Sequence, residues 1–124
     1  DVQQATESLG DVDAIYVPTD NTVVSSINAV LGVAETKQIP VFGAEAGTVK
    51  AGAIATYGLS YYELGRQTGQ QAIRILTEGA DPATTPVETQ TNLDVYLNLG
   101  AAERMGVTLP QALIDQAKPE NITQ

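Results

Sequence analysis

The chain has 124 residues, no histidine, no cysteine, and fifteen acids against six bases, for a formal net charge of −9. That balance repels a phosphate backbone, and Lys37, Lys50, Arg66, Arg74, Arg104 and Lys118 are too scattered to form a basic patch, so no nucleic-acid partner is expected. Without His or Cys neither a Ser-His-Asp triad nor a Cys-His pair can form, zinc lacks its usual ligands, and the chain is expected to have no catalytic residues, metal or cofactor.

Along the chain, β and α signals alternate, which predicts an α/β fold with a mainly parallel sheet and flanking helices. Val2 to Leu9 reads as the tail of a helix stopped at Gly10. Asp13-Ala14-Ile15-Tyr16-Val17 is a short, apolar run suited to a strand covered on both faces. Val23, Val24, Ile27, Val30, Leu31 and Ala34 then recur at helical spacing and predict a helix from 22 to 36. Ile39 to Phe42 is the next strand, Ala44 to Lys50 a loop, and Ala53 to Tyr57 a third strand ending at Gly58. Ser60-Tyr61-Tyr62-Glu63 fits a capping box opening a long helix, whose apolar face runs through Leu64, Thr68, Ala72, Ile75 and Leu76 until Gly79 and Pro82. Gly65 and Gly69, one turn apart, would let another backbone approach closely. Leu93, Val95, Leu97 and Leu99 alternate with polar residues, as in a strand with one wet face. A short helix over 101–105, closed by Gly106, and a last one opened by Thr108-Leu109-Pro110 follow, with a frayed tail from Lys118.

The chemistry concentrates after the first strand. In Tyr16-Val17-Pro18-Thr19-Asp20-Asn21 a strand runs directly into a helix, and in open α/β sheets ligands gather beyond the carboxyl ends of strands. Asp20 offers an acceptor-only carboxylate and Asn21 an amide that donates and accepts, a pair suited to an amine or hydroxyl group. The plainer role of Thr19 or Asp20 is to cap the helix. Gly43-Ala44-Glu45-Ala46-Gly47 lacks the contiguous Gly-Lys-Ser/Thr of a phosphate loop. Asp20 could also be the phosphoacceptor of an independent receiver-like domain, but the acidic pair needed for Mg²⁺ is misplaced, because Asp11 and Asp13 precede their strand.

The stretches DAIYVPTDNTVVSSINAV, IPVFGAEAG, GAIATYGLSYYELGRQTGQQAIRIL and YLNLGAAERMGVTLPQALIDQA together resemble the solute-binding proteins of ABC transporters. The likeness is to the periplasmic-binding-protein-like I type, in the branch associated with tryptophan, tyrosine and phenylalanine. It implies a non-enzymatic, extracytoplasmic module that binds a small metabolite, an amino acid by its branch, between two lobes and hands it to a permease. The runner-up reading is an independent receiver-like or flavodoxin-like domain. Members are typically more than twice this length, so the chain resembles the C-terminal half of one, its signal segment lying upstream. The family's wiring would assign residues 1–46 to the second lobe, 47–90 to the first lobe with its crossings, and 91–124 to a return strand and terminal helices. Carried over position by position, the ligand contacts would be Asp20, Asn21, Glu45, Tyr61 and Tyr62. Ser60 stands where many members have Asp, which favours capping there. Half a cleft with uncovered apolar faces would also favour self-association.

Overall fold

The computed structural model describes residues 1–124 and divides into two compact units, residues 1–58 with 94–124, and residues 59–93. The first unit is built on a single sheet. Helix α1 (Val2–Glu7) is capped by Asp1, and Gly10 follows at φ 73°. Strand β1 (Ile15–Val17) leads into α2 (Asn21–Ser25) and α3 (Ile27–Lys37). The single helix expected over 22–36 is thus broken at Ser26, which sits at φ −113°, ψ 21°. The run Thr22-Val23-Val24-Ser25-Ser26 is β-branched or hydroxylated throughout, and such residues hold a helix weakly.

Strand β2 (Val41–Gly43), helix α4 (Ala46–Ala51) and strand β3 (Ala55–Gly58) come next. The expected loop over 44–50 is therefore mostly helix. Gly47 and Thr48 are poor helix formers, but burying Thr48 and Val49 against the sheet overrides local propensity. Strand β4 (Asp94–Asn98) runs antiparallel to β3 and is followed by α6 (Leu99–Arg104) and α7 (Gln111–Ile114), whereas the second unit carries α5 (Tyr61–Thr77). The tail from Lys118 is ordered rather than frayed: a 3₁₀ turn at Pro119–Asn121 feeds β5 (Ile122–Thr123), which pairs with Leu97 and Asn98.

The sheet order is β1-β2-β3-β4-β5, with β1, β2 and β3 mutually parallel and only the β3–β4 pair antiparallel. This is the mainly parallel α/β architecture that the alternating pattern predicts. Because β3 pairs with β2, residues 47–58 belong to the first unit. The two units divide at 58/59 and 93/94. Val17, Val41, Ile54, Leu97, Val49 and Met105 are fully buried at the core, with Ile27, Val30, Leu31 and Ala34 of α3 packed into it. The expected wet face of β4 is only half-exposed, at Asp94 and Tyr96, and is closed at Asn98. Val95, Leu97 and Asn98 are all buried, and Asn98 donates Nδ2–H to the Val49 carbonyl at 3.0 Å while its Oδ1 accepts from the Ala101 N–H at 2.8 Å.

In the second unit, α5 buries none of its residues. Its polar side meets the returning segment through Arg74 with Glu88 and through Gln71 with the Pro86 carbonyl. Ile73 and Leu76 are exposed, and a Cβ added at Gly65 or Gly69 would meet nothing.

Candidate ligand site at the carboxyl end of the sheet

The sheet's first two strands end side by side, Val17 opposite Gly43. Asp20 and Asn21 lie just past the end of β1, and Glu45 just past the end of β2. Both strands enter a helix there, so backbone N–H groups and acidic side chains meet at the carboxyl edge.

Asp20 is extended (φ −123°, ψ 124°) and caps α2, its Oδ1 accepting from the N–H groups of Thr22 at 2.9 Å and Val23 at 3.0 Å. The capping uses one carboxylate oxygen. Asn21, exposed, is the first helical residue. Glu45 is half-buried and occupies the cap position of α4 without capping it, its Oε1 lying so close to Gly47 that a Cβ there would sit 3.4 Å away. Beside Glu45, the Ala44 N–H donates to the Val17 carbonyl at 3.0 Å, tying the two strand ends together.

Tyr61 and Tyr62 lie in the second unit, at the start of α5, 63% and 75% exposed. The structure therefore brings Asp20, Asn21 and Glu45 together on one sheet edge and places the two tyrosines on a different body. Ser60 caps α5 by accepting from the Glu63 N–H at 3.3 Å, and the Glu63 carboxylate turns to Arg66 at 3.5 Å.

Sequence reasoning missed one group at this edge. The antiparallel β4 begins where β3 ends, Asp94 opposite Gly58, so Asp94 joins the end that carries Asp20 and Glu45. Lys118 donates from Nζ to Asp94 Oδ2 at 2.9 Å and lies 2.8 Å from Oδ1, and that hydrogen bond is the chief reason the Lys118 ammonium is pushed above its ordinary value. The direction of β4 is set by pairing across the sheet and leaves no local signal. No three acidic side chains gather closely enough to hold a metal ion.

A mainly parallel sheet with helices entered from the ends of adjacent strands, and an acidic carboxyl edge, define an α/β protein. The family is shown by sequence: residues 1–120 match the ABC transporter substrate binding protein family, and the chain belongs to it. The match is to binding proteins, so the chain is not an enzyme. It is 41% identical over 99 residues to the tyrosine-binding protein of Clostridioides difficile (strain R20291), covering 79% of this chain and 28% of that protein. Among solved structures it resembles a conserved domain protein from Vibrio cholerae, at 38% identity and TM-score 0.82, over all of this chain and 41% of that one. It also resembles an ABC domain from Streptococcus pneumonia in complex with L-Trp, at 28% identity and TM-score 0.75, over 99% of this chain and 39% of that one. The chain thus spans less than half the length of these relatives.

Proposed function

We propose that this chain is part of the extracytoplasmic solute-binding component of an ABC importer, one that takes an aromatic amino acid between two lobes and delivers it to the permease. The observation that carries the reading is the placement of Asp20 and Glu45 just beyond the carboxyl ends of adjacent parallel strands, in a chain whose relatives include a tyrosine-binding protein and an L-Trp complex. The first unit is one lobe and residues 59–93 are a segment of the other. Asp20 accepts from the ligand ammonium through the oxygen that does not cap α2, Asn21 supplies a second polar contact, and Glu45 reinforces the negative field at the ammonium. Tyr61 and Tyr62 contribute from the opposite lobe. Ligand binding then shifts the population toward a closed form that the permease recognises.

Calorimetry on a two-lobed protein carrying this chain tests the site. Asp20→Asn keeps a capping oxygen but loses the charge, and weakens L-tyrosine or L-tryptophan binding by about 1.5–3 kcal/mol, the scale of a hydrogen bond to a charged group. Unchanged affinity removes Asp20 from the site. The isolated chain, with half the contacts, binds these amino acids weakly or not at all. It self-associates through exposed apolar residues such as Ile73 and Leu76, which sedimentation at micromolar concentration reads directly.

A further inference from the structure

The chain leaves the first unit and returns to it at one place, the pair Gly58 and Asp94 that ends the β3–β4 ladder. The Asn98 N–H donates to the Ile54 carbonyl at 2.8 Å, so Ile54 and Asn98 are a hydrogen-bonded pair. In an antiparallel ladder such pairs recur at every second residue, which makes Thr56 with Tyr96 and then Gly58 with Asp94 hydrogen-bonded pairs too. The end of a ladder frays most readily, and both connections to the second unit start from this end.

The segment after α7 holds this end from both faces. Gln116 donates Nε2–H to the Ala112 carbonyl at 2.9 Å, which fixes its amide and leaves Oε1 to accept from the Tyr57 hydroxyl at 2.8 Å. Two residues on, Lys118 donates to Asp94 Oδ2. Opposed residues of a ladder share a face, so Asp94 lies with Gly58, on the face away from Tyr57. The two ties therefore grip β3 on one side and β4 on the other. Their base is firm: Leu113, Ile114 and Ala117 pack against the core, and Lys118 is held extended (φ −66°, ψ 145°) ahead of Pro119. An ion pair as exposed as Lys118 with Asp94 adds little to global stability. Its effect falls instead on the pair of residues it touches.

We infer that Gln116 and Lys118 are positioning residues for ligand binding, clamping the Gly58–Asp94 pair so that opening and closure bend the chain outside it. Flexing is then left to Leu59 and Ser60 on the way out and to the irregular segment 86–93 on the way back. With the clamp released, the pair opens in the ligand-free state, the swing loses its fixed pivot, and the fraction of molecules poised to close falls. The inference rests on the two-lobed binding reading above, and neither residue is placed at the ligand.

Spin-label distances test it in a two-lobed protein carrying this chain. Labels go on Glu103→Cys in the first unit and Glu78→Cys in the second, both exposed positions of a chain that has no cysteine. The ligand-free distance distribution is narrow in the unsubstituted protein and in Lys118→Arg. It broadens in Lys118→Met and in Tyr57→Phe, which removes the hydroxyl that Gln116 accepts from, while the melting temperature moves little. The same two variants exchange the Gly58 and Asp94 amides about tenfold faster and raise the Kd for L-tyrosine or L-tryptophan about fivefold. An unchanged distribution in Lys118→Met and Tyr57→Phe overturns the inference. Faster exchange at Gly58 and Asp94 without broadening also overturns it, because the ties then only brace the sheet. An unsubstituted protein that binds neither amino acid counts against the proposed function, and the ligand-free distances still decide the role of Gln116 and Lys118.

Discussion

Asp20 serves two ends with two oxygens, and substitutions separate them. Asp20→Ala strips the acceptor from the N–H groups of Thr22 and Val23 and destabilises the fold by about 1 kcal/mol in urea denaturation, whereas Asp20→Asn retains a good cap and changes stability by only a few tenths. This residue was legible in the sequence because capping acts over three positions and leaves a local signature. Asn98 is the opposite case. It reads as a polar residue on a wet strand face, yet it is 5% exposed and bridges α4 to the start of α6. Its main partner, the Val49 carbonyl, lies 49 residues away in sequence, and no local pattern records such a contact. Asn98→Ala leaves that carbonyl and the Ala101 N–H without their partner and costs roughly 2–3 kcal/mol in the same measurement. Gly52 is likewise set by its surroundings: at φ 133° a Cβ there would stand 2.8 Å from Leu31 Cδ1, so the position accepts no side chain without strain.

The elements legible in sequence were those with strong caps and periodicity. Helix α5 is delimited by Ser60 and by Gly79 at φ 77°, both readable from residue type alone. Helix α4 and strand β5 were not readable, for a shared reason: α4 contains two weak helix formers and β5 two residues after a proline turn, and each exists because the sheet offers a surface or an edge to occupy. The Lys118–Asp94 pair helps seat β5. Since the Lys118 value is raised, its contribution is complete below about pH 10.5 and is lost only as pH climbs through the raised value, so amide protection at Ile122 and Thr123 is flat across neutral pH. Glycines 65 and 69 carry a sharper test. Nothing lies within 4 Å of a Cβ at either site, so Gly65→Ala and Gly69→Ala each stabilise α5 in the isolated chain by up to about 1 kcal/mol, seen as raised helicity by circular dichroism. If the same changes impair folding of a two-lobed protein, the glycines serve the close backbone approach that their spacing suggests.

At the scale of the molecule, the alternating pattern was enough to give the sheet its class but not its boundary. The strand at 55–58 is apolar and could have served either body. Only its pairing with Phe42 on one side and with β4 on the other assigns it. Stability follows the same division. Amides of Ile54 and Leu97, 0% exposed, exchange slowest, while those of α5, which buries nothing, exchange orders of magnitude faster. The register that sets Gly58 opposite Asp94 has a further consequence. The chain leaves the sheet and re-enters it at facing positions of an antiparallel ladder, which is the geometry of a hairpin's last rung. Residues 59–93 are thus a guest spliced into a host that already closes without them. Excising them and joining Gly58 to Asp94 through an Asn-Gly turn yields a shortened protein that keeps the β3–β4 register and unfolds cooperatively, a minimal scaffold on which the carboxyl edge can be studied alone.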